Sequence, residues 1–67
     1  MTLHEAMEHV LKEEGRPMTR QELADAINEQ DLYKRGDGYL VPSNQIGAGA
    51  KNYPHLFVKI GNKIDLV

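Results

Sequence analysis

Residues 43–67, SNQIGAGAKNYPHLFVKIGNKIDLV, are the stretch that decides the fold of this chain. They open with the polar helix-start signal Ser43-Asn44-Gln45 and reach a helix stop at Tyr53-Pro54. Gly61-Asn62 then lies between two short apolar runs, which predicts a two-residue hairpin because glycine accepts a positive φ without steric penalty. The pattern therefore predicts a short helix followed directly by a β-hairpin.

The predicted hairpin strands cover residues 56–60 and 63–67. A two-residue turn fixes which residues face each other across the hairpin: Ile60 and Lys63, Lys59 and Ile64, Phe57 and Leu66. This register places three apolar side chains on the face toward the helices: Phe57, Ile64 and Leu66. The tip projects three polar side chains: Lys59, Asn62 and Lys63.

The helix before the hairpin is predicted over residues 44–52, with Ser43 as its cap and Val41 held extended by Pro42. Helical spacing puts three residues on its inward side: Ile46, Ala50 and Tyr53. The outer face carries Asn44, Ala48 and Lys51, flanked by Gln45 and Asn52. Two interior glycines, Gly47 and Gly49, leave two readings open: a close approach of another helix or a phosphate, or an irregular turn.

Two earlier helices follow from two capping boxes, Thr2 with Glu5 and Thr19 with Glu22. The first helix is predicted over residues 3–14 and the second from Thr19 to about residue 30, joined by a link at 16–18 that can supply a short strand. The charged, glycine-rich segment 34–38 predicts a mobile surface loop. The predicted core comprises Leu3, Met7, Val10, Leu11, Met18, Leu23, Ile27, Leu32, Ile46, Tyr53, Phe57, Ile64 and Leu66.

Together these elements predict a single α+β domain over residues 1–67, a winged helix-turn-helix. Its three helices pack on a small antiparallel sheet, and the C-terminal β-hairpin is the wing. Such a layout presents a helix face and a hairpin tip side by side, as DNA-binding domains do.

Length and composition exclude several classes of protein. A chain of about 60 residues buries only about 60% of its unfolded surface, which leaves little core for a deep substrate cleft. There is no cysteine, so neither disulfides nor thiolate metal sites are expected. No long apolar run or signal-like segment is present, and a cytoplasmic monomer without a membrane segment is expected.

Charge is divided unevenly along the chain. Residues 1–33 carry three basic and eight acidic side chains, whereas residues 34–67 carry five basic and two acidic ones. Any anionic partner is therefore expected to meet the second half, although an ordinary mixed surface would show the same counts.

No spacing indicates catalysis, a metal site or a cofactor. His4 and His9 are five residues apart, whereas ligands on one helical face are three or four apart. Ser43 lacks a nucleophile elbow and an evident base, and the sequence around Gly36 lacks the lysine of a phosphate loop. We therefore expect a protein that is not an enzyme.

Three short stretches resemble the HARE-HTH family of winged helix-turn-helix domains. They are the first helix from Leu3 to Gly15, Pro17-Met18-Thr19 with Glu22-Leu23-Ala24, and the ending from Tyr53-Pro54-His55-Leu56-Phe57 to Ile64-Asp65-Leu66. Members occur fused to restriction endonucleases, chromatin regulators and RNA polymerase subunits. The resemblance implies a non-catalytic DNA-binding or DNA-sensing accessory role, with the third helix for recognition and residues 59–63 as the wing.

Eight residues are predicted to contact double-stranded DNA: Arg35, Ser43, Asn44, Gln45, Lys51, Lys59, Asn62 and Lys63. The amides and Ser43 suit base edges or phosphates near a helix end, and the basic residues suit phosphates. Recognition helices commonly carry several basic residues, but only Lys51 is basic here. We therefore expect weak, salt-dependent affinity, with Kd on the order of 10⁻⁴ to 10⁻⁶ M.

A protein-interaction module is the alternative. The outer sides of the first two helices carry acidic residues that would suit a basic protein partner, including Glu8, Glu13 and Asp25. A third reading is that these polar surfaces are simply solvated.

Overall fold

The structure, a computed structural model, describes residues 1–67 and contains three helices and three strands. In chain order these are α1 (Leu3–Glu14), β1 (Met18–Thr19), α2 (Arg20–Glu29), α3 (Ser43–Asn52), β2 (Phe57–Ile60) and β3 (Lys63–Leu66). None of the helices has both the length and the apolar character needed to cross a membrane.

Both predicted capping boxes are present and start α1 and α2. The Thr2 amide donates to Glu5 Oε1 at 2.8 Å, and the Thr19 amide donates to Glu22 Oε1 at 2.9 Å. These backbone hydrogen bonds are the main reason that the pKa of each glutamate lies below its ordinary value, because they favour the ionised carboxylate. α1 ends as predicted at Gly15, which adopts the left-handed region at φ 66°.

α2 ends in a left-handed turn at Asp31, whose φ is 54°. The Leu32 amide donates to the Ile27 carbonyl at 3.0 Å, and the Asp31 amide donates to the Asn28 carbonyl at 3.3 Å. This pair of bonds is a Schellman motif, built on aspartate where glycine is usual.

The connection from α2 to α3 is tied down at its far end. Asn28 on α2 donates to the Val41 carbonyl at 2.9 Å and accepts from the Val41 amide at 2.8 Å. Val41 is buried, so it belongs to the core that the sequence pattern assigned elsewhere. The predicted loop at residues 34–38 contains no helix or strand, but Gly38 closes a turn by donating to the Arg35 carbonyl at 3.1 Å.

The three strands form one antiparallel sheet in the order β1-β3-β2. The predicted hairpin register is confirmed in all three pairs, and Gly61 turns the chain at φ 62°. β1 pairs with β3 through Met18 with Ile64 and Thr19 with Lys63, so β3 is the central strand.

Twelve residues form the hydrophobic core, and nine of them were predicted. The other three are Ala6, Ala24 and Val41. Four predicted core residues are instead only partly buried at its edge: Leu3, Leu32, Tyr53 and Leu66. The two alanines lie on the buried stripes of α1 and α2, where their small side chains are fully enclosed by neighbouring elements. The arrangement is the predicted winged helix-turn-helix.

Candidate functional site

A groove of about 610 Å³ lies between α3 and the hairpin, and Phe57 and Ile64 of the core line its apolar side. We call it the α3–hairpin groove. Its polar lining consists of three cations and two amides: Arg20, Lys51, Lys59, Asn44 and Asn62. α3 and the hairpin therefore share one concave surface.

No acidic side chain lines the α3–hairpin groove. Elsewhere, three of the eight Arg and Lys side chains are neutralised in ion pairs: Arg16 with Glu14 and Glu22, Lys34 with Asp31, and Arg35 with Asp37. Three of the remaining five line the groove. The groove is therefore a local concentration of unpaired positive charge on a chain whose net charge is −2.

Four of the eight predicted contact residues line this groove: Asn44, Lys51, Lys59 and Asn62. The other four do not: Arg35, Ser43, Gln45 and Lys63. Lys63 is close to the groove, since it is paired with Thr19 and Ile60 in the sheet, but its side chain lies on the sheet face opposite to that of Lys59.

Ser43 is not the cap of α3, contrary to the prediction. Pro42 occupies the N-cap position with φ −84° and ψ 159°, and no side chain caps this helix end. The fixed φ of proline already provides the extended geometry that an N-cap needs, so the helix begins one residue earlier than predicted. Ser43 is therefore the first helical residue.

Arg35 and Gln45 lie away from the groove for different reasons. The Arg35 guanidinium donates to Asp37 Oδ2 at 2.7 Å, inside the α2–α3 connection. Gln45 follows Asn44 on α3, and one helical step of about 100° turns its half-buried side chain off the groove.

Arg20, which the sequence analysis did not select, is the first residue of α2 and crosses to α3 at Gly47. A Cβ atom placed on Gly47 would lie 2.9 Å from Arg20 Cδ and 3.2 Å from Arg20 Nη1. Gly47 is thus a notch in α3 that the arginine stem fills. The mid-helix glycine and the predicted pairing next to Thr19 were the two available signals for this contact.

Gly49 serves a different contact. A Cβ atom there would lie 3.2 Å from Met7 Sδ and 3.7 Å from Leu3 Cδ2, so this glycine lets α1 approach α3 closely. α3 is a continuous helix from Ser43 to Asn52. Of the two readings of its glycines, close approach of another element is the correct one.

A shallower depression of about 370 Å³ lies by α2 and the end of α1. Four acidic side chains line it together with Arg16: Glu14, Glu22, Asp25 and Glu29. Of the acids predicted to meet a protein partner, Asp25 lines this depression, whereas Glu8 and Glu13 do not.

Comparison with protein families gives one match, which covers residues 1–66. The matching family is HARE-HTH, a helix-turn-helix domain described from proteins that include ASXL and a restriction endonuclease. No curated protein and no solved structure matches the chain.

Proposed function

Since this chain belongs to the HARE-HTH family of helix-turn-helix domains, we propose that it is a non-catalytic module that binds double-stranded DNA in an accessory or regulatory role. The α3–hairpin groove is its DNA-binding surface. The observation that carries the proposal is the set of three unpaired cations in a groove without any acidic side chain.

The groove residues divide into two chemical kinds. Arg20, Lys51 and Lys59 are suited to phosphate oxygens, which supply most of the affinity of a DNA-binding domain without reading sequence. Asn44 and Asn62 carry amides that both donate and accept, so they suit base edges as well as phosphates. So few cations limit counterion release, and the isolated domain is expected to bind with Kd on the order of 10⁻⁴ to 10⁻⁶ M.

The test is a two-dimensional NMR titration of the isotope-labelled domain with a short DNA duplex at low salt. We expect the largest shifts at the five polar groove residues: Arg20, Asn44, Lys51, Lys59 and Asn62. Replacing Lys51 and Lys59 by glutamine should weaken binding about tenfold or more, because two phosphate contacts are lost.

Lys12→Gln is the matched control, because it removes an unpaired positive charge of α1 outside the groove. Its affinity should stay close to wild type. An absence of shifts at the groove, or equal losses in Lys12→Gln and a groove variant, would contradict the proposal.

A second candidate function is favoured by the acidic depression beside α2. Four carboxylates against one arginine suit a basic segment of a protein partner. In that case a lysine-rich peptide would shift residues of α1 and α2, and a DNA duplex would leave the spectrum unchanged. The same NMR titration therefore separates the two functions.

A further inference from the structure

The DNA-facing side of α3 lacks long side chains where it crosses the groove. Gly47 and Ala48 offer no group that can reach a ligand, and the next basic residue is Lys51 near the helix end. A side chain of α2 occupies this gap. Arg20 lies with its Cδ 2.9 Å and its Nη1 3.2 Å from the position that a Gly47 Cβ would take.

From this contact we infer that Arg20, seated in the Gly47 notch, is the central phosphate anchor of the groove and that Gly47 is its positioning residue. The inference rests on the proposed DNA-binding function and deepens it. The ligand group is a single phosphodiester of the duplex backbone.

The Arg20 guanidinium is free to bind an anion. No carboxylate lies within ion-pair distance of it, unlike Arg16 and Arg35, which are each held by acidic neighbours. A guanidinium presents parallel N–H groups that can bind two oxygens of one phosphate at once. Lys51 and Lys59, which line the same groove, lie where they can meet neighbouring phosphates.

The base of Arg20 is held in place on both sides of its backbone. Thr19, directly before it, caps α2 through the box with Glu22 and pairs with Lys63 of β3. The stem is then confined by the notch in α3. An arginine confined in this way loses less conformational freedom on binding than a free surface arginine, so more of its interaction energy appears as affinity.

The experiment is a double-mutant cycle on DNA affinity with Gly47→Ala, Arg20→Gln and the combined variant. Arg20→Gln should weaken binding to a short duplex about tenfold, because a charged hydrogen-bond pair is lost. Gly47→Ala should weaken binding by a smaller factor of about three to ten, because the new methyl group displaces the arginine stem. The combined variant should bind no more weakly than Arg20→Gln alone, since no stem remains to displace.

Two further variants keep the outcome clear. Arg20→Lys retains the charge without the fork and should bind between wild type and Arg20→Gln. Gly47→Ala should melt no lower than wild type, because alanine favours helix and the clashing atom belongs to a movable side chain. A loss of affinity with unchanged folding is therefore the expected signature of a positioning residue.

Two results would overturn the inference while leaving DNA binding intact. One is wild-type affinity in Arg20→Gln. The other is a Gly47→Ala loss of equal size in the presence and absence of Arg20, which would mean that the bare backbone itself meets DNA. If the wild-type domain binds no duplex at low salt, the proposed function fails and this inference fails with it.

Discussion

Asn28 shows how one side chain can fix a long connection. Its two hydrogen bonds to Val41 span 13 residues and satisfy both backbone groups of a residue that is only 3% exposed. Val41 in turn directly precedes the proline that starts α3. Asn28 therefore helps to set where α3, and with it one wall of the groove, begins.

We predict that Asn28→Ala lowers the free energy of unfolding by about 2 kcal/mol, since two partly buried hydrogen bonds are lost and the Val41 backbone groups lose their partners. Urea unfolding followed by circular dichroism measures the change. Gln21→Ala is the control, because it removes an exposed side-chain hydrogen bond to Asp25 of the same helix. Equal stabilities of the two variants would disprove the role given to Asn28.

The two interior glycines of α3 predict opposite behaviour under the same substitution. Alanine at either position gains about 1 kcal/mol of helix propensity. At Gly49, however, the methyl group meets the fully buried Met7 sulfur at 3.2 Å, and crowding of this kind costs about 1–3 kcal/mol.

Gly49→Ala should therefore unfold at a lower urea concentration than Gly47→Ala, by a free-energy difference of about 1 kcal/mol or more. The shared propensity gain cancels in this comparison. Indistinguishable unfolding curves would mean that the α1–α3 contact yields without cost.

At the scale of elements, the end of α2 is a site where the native residue is suboptimal. Asp31 holds a left-handed conformation that costs a residue with a Cβ about 1 kcal/mol relative to glycine. Its ion pair with Lys34, at 3.7 Å and on the surface, returns little.

Asp31→Gly is expected to raise the free energy of unfolding by about 1 kcal/mol, with Asp31→Asn between it and wild type, because asparagine tolerates this conformation better than most residues. Thermal unfolding of the three proteins provides the measurement. A lower melting temperature for Asp31→Gly would show that the Lys34 pair outweighs the backbone strain.

The capping box of α2 predicts a pH dependence. Hydrogen bonding from the Thr19 amide, helped by nearby Arg16, holds the pKa of Glu22 below its ordinary 4.5. A depressed folded-state pKa stabilises the protein above the ordinary value, and this contribution disappears as pH falls through the lowered value.

Glu22→Gln should therefore melt below wild type at pH 7, and the difference should shrink as the pH falls below 4.5. Melting temperatures of both proteins over pH 2–7 test this point. A difference that is constant with pH would show that the ionised carboxylate is not responsible.

The elements were predictable because their signals are local. The two capping boxes, Gly15 and the Gly61-Asn62 turn each act within a few residues, and the structure has the helices and the hairpin where these signals place them. Val41 and Arg20 were missed for the opposite reason. Val41 is buried through a contact with Asn28 in another element, and Arg20 lies in the half of the sequence where acidic residues predominate.

Half of the predicted contact residues reached the groove for a similar reason. Helical and strand periodicity correctly aligned Asn44 with Lys51 and placed Lys59 beside them. Sequence spacing could not show that Asp37 neutralises Arg35, because ion pairing in an irregular turn depends on its three-dimensional course.

At the scale of the whole molecule, charge is sorted by surface more than by sequence half. Arg20, Lys51 and Lys59 meet in the groove and Lys63 lies close by, although the chain is acidic overall. For about four phosphate contacts, the slope of log K against log salt concentration should be about −3 to −4.

Fluorescence anisotropy of a labelled duplex over 20–200 mM salt measures this slope. Arg20→Gln should reduce its magnitude by about 1, while Lys12→Gln should leave it unchanged. A slope near zero, or the same slope in both variants, would contradict binding through groove cations.

The central position of β3 also bears on how the chain acquires its fold during synthesis. Both strand pairings of the sheet depend on residues 63–66, at the far end of the sequence from β1. A nascent polypeptide that has left the ribosome only as far as Gly61 holds two strands without their common neighbour. Sheet formation, and with it the assembly of the groove, must therefore await release of these four residues from the exit tunnel.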